Sequence, residues 1–190
     1  MPLTILDPNT ALIVIDLQQG IVNGNFIHPI ADIIDRTRAL IDVFRAQKLP
    51  VVLVNVEGRA PGRTEQGPRS NPSFSDGWTD LLPQLDQQPG DLVVTKRSGG
   101  AFATTDLERQ LKARGITQVV VTGVATSGGV EATARQAYEQ GFNVTLALDA
   151  MTDLREEAHE HSIRNVFPRV GETGSTQEII ALLERRSATS

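Results

Sequence analysis

Residues 10–18, TALIVIDLQ, are apolar at almost every position and lack the polar alternation of a half-exposed strand. Such a run fits a strand buried on both faces. From Ile30 the period changes. Ile30, Ile33, Ile34, Leu40, Ile41 and Phe44 recur at helical spacing and predict a helix over 30–47. Apolar runs and helical patterns then keep alternating. LPVVLVNVE (49–57), DLVVTKR (91–97), TQVVVTGVA (117–125) and FNVTLALDAM (142–151) read as strands two to five. Helices are expected over 104–115, 130–141, from about Asp153 to Val166, and over 175–186, with a short edge strand in RVGET before the last. Thr105 and Glu108 stand at capping-box spacing, Gly115 and Gly141 close their helices, and Ser175 or Thr176 opens the final one.

Strands separated by helices of this length imply parallel βαβ crossovers and a mostly parallel sheet with helices on both faces. No repeat or linker interrupts the pattern, so residues 1–190 read as a single domain. The exception to the alternation is GRAPGRTEQGPRSNPSFSDGWTD (58–80). Loops of that length are uncommon in compact domains unless functional or disordered, and this one is the candidate lid or interface. In such sheets ligands bind beyond the carboxyl ends of the strands. That rule narrows the search to Asp16, Asn55 to Glu57, Lys96 and Arg97, residues 124–129, and Asp149.

Composition removes several classes of function. A net charge of −5 argues against nucleic acid as a partner, because phosphate contacts need a basic face. No apolar run is long enough for a bilayer, so no membrane partner is expected. The start, MPLTILDPNT, has neither a basic segment nor an apolar signal core, and a cytoplasmic location is the expectation. The absence of cysteine excludes disulfides, zinc–thiolate sites and thiol catalysis. Of the three histidines, His159 and His161 lie two apart in a helical pattern and point in different directions. With His28 they read as ordinary surface or interface residues. Neither a metal nor a cofactor is expected, and the partner is a small-molecule substrate.

What remains is chemistry at the strand ends. A carboxylate directly after an apolar run, as Asp16 is in VIDLQ, is costly unless it is paired or has a function; a turn cap is the plain alternative. Lys96 ends VVTK in the same setting and, taken alone, could be a lysine that extends to solvent. Together they make an acid/base pair in which each shifts the other's pKa. The third element is VTGVATSGGVEATARQA (121–137), where a strand passes through small residues into a helix beginning at about Gly129 or Val130. Free N–H groups and the helix dipole there favour an anion or a developing oxyanion; a tight glycine turn is the alternative.

VIDLQ, TKRSGGAF and VVVTGVATSGGVEATARQAYEQGFNV, in this order and spacing, resemble the isochorismatase-like hydrolase superfamily from about residue 10 to 182. The resemblance implies a three-layer α/β/α sandwich around a mostly parallel, Rossmann-like sheet of about six strands. It also implies an Asp–Lys–Cys triad, with Asp16 as acid/base, Lys96 as its partner, and Gly129, six residues after Gly123, where the nucleophilic Cys would stand. A cis peptide between Val124 and Ala125 is a further expectation of the resemblance, and Asn55, Arg97, Val124, Ala125, Gly128 and Trp78 are the candidate substrate contacts. Arg59, Arg63 and Arg69 in the long loop, with Arg97, have the planar fork that suits carboxylates. Trp78 and Phe74 either close over a ring-shaped substrate or pack the loop onto a neighbouring subunit.

Two departures from the amidase pattern matter. Without Cys no acyl-enzyme thioester forms, and VNVEGRAPGR lacks the histidines of the nicotinamidase metal site. Isochorismatases likewise carry Gly at the Cys position; an acid protonates the enol ether of isochorismate and water attacks the resulting cation. Three readings follow: acid hydrolysis of an enol ether, a non-catalytic member that keeps the pocket for binding, and an amide hydrolase whose Cys has been replaced. A homo-oligomer, dimer or higher, is the expected assembly.

Overall fold

The computed structural model describes residues 3–65 and 74–187. The elements in chain order are β1 (Thr10–Ile15), α1 (Ile30–Ala46), β2 (Val51–Val56), β3 (Leu92–Lys96), α2 (Leu107–Ala113), β4 (Gln118–Val124), α3 (Glu131–Glu139), β5 (Asn143–Thr152), α4 (Glu156–His161), α5 (Phe167–Val170), β6 (Glu172–Gly174) and α6 (Thr176–Ser187). All six strands run parallel, in the order β3-β2-β1-β4-β5-β6. Among the described residues no helix is long and apolar enough to cross a membrane.

The continuous apolar runs are continuous because both faces of the sheet are covered. Leu12, Val14, Leu53 and Val120 pack under α1 and α6 through Leu40, Phe44, Ile179 and Leu183. Ile13, Ile15, Val54, Val119 and Val121 pack under α2, α3 and α5 through Leu107, Leu111, Ala134 and Phe167. The result is the α/β/α sandwich that the alternation predicts. The chain builds outward from β1 to β3, then returns to place β4 on the other side of β1. Strand order therefore switches between β1 and β4, and their carboxyl ends are where ligands bind in sheets of this kind.

Gly123 fixes that junction. It sits at φ +111° opposite Ile15, and a Cβ at this position would collide with the Ile15 carbonyl. Only glycine lets β4 approach β1 so closely.

Several local expectations change. The capping box at Thr105 and Glu108 does not form: Thr105 Oγ1 accepts from Leu107 N at 3.2 Å and donates to Ala101 O at 2.6 Å, and Glu108 pairs with Lys112 at 2.6 Å. Ser175, expected only as a cap, forms a full capping box, with Glu178 N donating to Ser175 Oγ at 3.2 Å and Ser175 N to Glu178 Oε2 at 2.7 Å. The helix expected from Asp153 to Val166 starts only at Glu156 and widens over Ser162–Val166 before α5. Asp149 is structural: Oδ1 accepts from Thr176 N at 2.7 Å and Thr176 Oγ1 at 2.9 Å at the start of α6.

Candidate active site

Alternation along β1 would send Asp16 to the α1/α6 face with Leu12 and Val14. Asp16 instead adopts φ +52°, a left-handed conformation that aspartate tolerates better than most residues. The residue leaves the strand pattern, and its Oδ2 lies 2.8 Å from Lys96 Nζ. Lys96 follows Val94 on the α2/α3 side of β3. Because β2 lies between β1 and β3, the two backbones are two strand spacings apart, about 10 Å. Only a long side chain closes that gap. Nζ also donates to Ser98 O at 3.2 Å.

Both partners are buried, Asp16 at 6% and Lys96 at 2% exposure. Burial pushes the Asp16 carboxyl from 3.8 up to about 6, against the opposing pull of the Lys96 charge and hydrogen bond. Desolvation is the larger effect, so the protonated acid is accessible near neutral pH. Asp16 Oδ1 is buried with no hydrogen-bond partner among the described residues.

Gly129 lies against this carboxylate. A Cβ on it would stand 3.0 Å from Asp16 Oδ2, 2.8 Å from Ile15 Cγ2 and 3.4 Å from Val124 O. The backbone is thus packed for glycine, and any side chain would first displace the branched Ile15. The Val124–Ala125 peptide is cis. Val124 itself is fully buried, in the α1/α6 cluster.

The open anion cradle expected at this turn is largely occupied by the protein. Gly128 N and Val130 N donate to Ala125 O at 3.0 and 3.2 Å. Ser127 N and Oγ donate to Asp153 Oδ2 at 2.7 and 2.8 Å. The helix proper starts at Glu131, one or two residues later than the sequence suggests.

Of the remaining candidates, Asn55 donates to Thr79 O at 2.8 Å while its Oδ1 is buried without a partner among the described residues. Trp78 lies over Gly20, where a Cβ would collide with the indole, and stacks on Phe74 with centroids 4.1 Å apart. Arg97 turns outward, 71% exposed, to pair with Glu57 at 2.9 Å. Arg59 and Arg63 are exposed, and Arg69 lies outside the described residues. Among the described residues, no group of three or more His, Cys, Asp or Glu is placed to hold a metal ion.

With this site in view, the decisive comparison is a family model described as the isochorismatase domain, which matches residues 10–178. The chain belongs to the isochorismatase family. It is 37% identical over 177 residues to the uncharacterized isochorismatase family protein YwoC of Bacillus subtilis, covering 90% of this chain and 92% of that protein. It is 31% identical over 171 residues to nicotinamidase 3 of Arabidopsis thaliana, covering 84% and 83%. The structure of an isochorismatase family protein from Burkholderia thailandensis matches with a TM-score of 0.90 at 39% identity, covering 95% of this chain and 98% of that one.

Three residues of this isochorismatase-family site escape a reading of the sequence. Gln18 is fully buried and clamps two segments to the end of β1. Its Oε1 accepts from Val56 N at 2.7 Å, and its Nε2 donates to Val56 O at 3.2 Å and Trp78 O at 3.1 Å. Asp153 supplies the anion at the turn; its Oδ1 also accepts from Leu154 N and Arg155 N at 2.8 and 3.3 Å. It follows an apolar strand just as Asp16 does, which was a usable signal. His159 is not a surface residue. It is buried, 2.8 Å from Thr126 Oγ1, with its ring edge-on to His28 at 5.0 Å. Burial, then the neighbouring His28, lower its pKa. His161, in contrast, is exposed.

Proposed function

We propose that this chain is a hydrolase that works by acid catalysis without a covalent intermediate, on an enol ether such as isochorismate. Gly129 occupies the position that the nucleophilic Cys holds in amide-hydrolysing members, so the chemistry falls to Asp16. In its protonated form Asp16 donates a proton to the methylene carbon of the enol ether, and the ether carbon becomes an oxocarbenium ion. Water adds to that carbon, and the Asp16 carboxylate takes back a proton. The hemiketal then collapses to pyruvate and a dihydroxy-cyclohexadiene acid. Lys96, at 2.8 Å, stabilises the carboxylate while it is ionised.

The observation that carries this reading is the placement of Asp16, a carboxyl 6% exposed with Lys96 Nζ at 2.8 Å and the Gly129 backbone against it, where burial pushes its pKa up to about 6. A carboxylic acid is useful as a proton donor near neutral pH only when its environment opposes ionisation. The test is pyruvate release from isochorismate, followed with a coupled dehydrogenase. Turnover that disappears in Asp16→Ala supports the proposal; absence of turnover with any enol ether overturns it.

The likeness to nicotinamidase 3 favours a second reading, hydrolysis of an amide. Residue 129 has no side chain to form an acyl-enzyme, so this reading requires attack by water directly. Ammonia release from an amide panel separates the two: release by Gly129→Cys alone points to a lost thiol, and release by the unmodified chain points to direct water attack.

A further inference from the structure

Two of the segments that meet at Asp16, the loop after β3 and the turn after β4, meet again on α3. Thr133 is fully buried there. Its hydroxyl donates to Gly129 O at 2.7 Å and accepts from Ala101 N at 3.1 Å. The first bond is the ordinary reach of a helical threonine to the carbonyl four residues back. The second is not local, since Ala101 is 32 residues away. Gln136 extends the attachment, with Oε1 accepting from Phe102 N at 3.0 Å and Ala103 N at 3.3 Å. Its amide fills the space that a Cβ on Gly100 would need. At the near end of the same loop, Ser98 O receives Lys96 Nζ at 3.2 Å, and Ser98 Oγ donates to Gly100 O at 3.2 Å.

We propose that Thr133 is a positioning residue whose hydroxyl ties the Lys96 loop to the Gly129 turn and so fixes the Lys96 ammonium against Asp16. An ammonium has three donors and no preferred plane, so its direction is set by its acceptors. Here those acceptors are Asp16 Oδ2 and Ser98 O. Ser98 O keeps its place only while residues 98–101 stay on α3. A hydroxyl accepts from Ala101 and donates to Gly129 at once; valine has the same shape and does neither. The effect on turnover rests on the acid mechanism proposed above, but the effect on the ionisation of Asp16 does not.

The experiment follows the Asp16 carboxyl carbon by NMR titration, assigned through Asp16→Asn, in the unmodified protein, Thr133→Val and Thr133→Ser. In Thr133→Val the looser ammonium lowers the Asp16 pKa less, and the midpoint rises by about half a unit or more. Thr133→Ser restores it. Under the acid mechanism, kcat of Thr133→Val falls about tenfold with KM little changed, because geometry rather than binding is lost. A folded Thr133→Val with an unmoved Asp16 midpoint overturns the proposal, as does a Thr133→Ser that behaves like Thr133→Val. Should Thr133→Val fail to fold, Gln136→Leu loosens the same loop and must raise the midpoint; no rise refutes the clamp. If the unmodified protein turns over no enol ether, the reaction falls while the titration still decides on Thr133.

Discussion

A buried carboxyl near 6 is half protonated at that pH, and this sets two measurable behaviours. If Asp16 must begin protonated, kcat/KM for pyruvate release stays level below about 6 and falls about tenfold for each further pH unit. A rate that rises with pH through this range would mean the carboxylate acts as a base. The same proton balance acts on stability. Between 3.8 and about 6 the folded state binds more protons than the unfolded one. Stability from this group therefore declines as pH rises through that window and levels off above it. Lys96→Met removes the partner that favours ionisation. At pH 8 it strands a buried carboxylate and costs about 3 kcal/mol, and towards pH 5, where Asp16 takes up a proton, the cost shrinks. Urea unfolding at both pH values measures it; equal costs would contradict a burial-driven shift. At this scale Asp16 and Lys96 were legible, because a charge at the end of an apolar run is conspicuous in a sequence. Gln18 was not, since a neutral amide shows its worth only through the Val56 and Trp78 backbone that folding brings to it. His159 escaped for a similar reason: its hydrogen-bond partner Thr126 is 33 residues away in sequence.

Among the elements, α4 starts late because Arg155 is extended, at φ −135° and ψ 124°. Asp153 Oδ1 accepts the N–H groups of Leu154 and Arg155 in the turn ahead of it. Further on, Pro168 has no N–H to donate, and the turn before it is widened over Ser162–Val166. Thr105 and Glu108 had capping-box spacing, yet Thr105 is engaged by Ala101 O and Glu108 by Lys112. Spacing licenses a cap; competing partners decide it. Gly123 shows the opposite case, where no side chain can substitute. Gly123→Ala places a Cβ into the Ile15 carbonyl at a positive φ, and a loss of about 3 kcal/mol or more is expected. Asp16 directly follows Ile15, so the titration of Asp16 should change as well. Thermal unfolding checks the first statement, and an alanine variant as stable as the parent would refute the close approach.

For the whole molecule, alternation of element types revealed a parallel sandwich, but nothing local encodes that β4 returns beside β1 rather than beside β3. That choice sets the switch in strand order beside Asp16, and it also makes the Asp16–Lys96 pair unequal in its support. Asp16 ends a central strand buried along its whole length, whereas Lys96 belongs to the edge strand β3, in which Val93 and Thr95 are exposed. Edge strands with few buried contacts open locally at lower free energy than the global transition. Amide exchange should therefore be slowest over Ala11–Ile15 and Val119–Val121 and distinctly faster over Leu92–Lys96. The pair adds a link across β2, since Lys96 is held at its tip by Asp16. Removing the carboxylate in Asp16→Asn should quicken exchange at Val94–Lys96 while leaving Val119–Val121 unchanged. Hydrogen-exchange mass spectrometry on the two proteins reads both regions at once. A uniform acceleration would show that the ion pair supports the sheet as a unit, and no acceleration at β3 would show that the lysine is held by Ser98 and its surroundings without the acid.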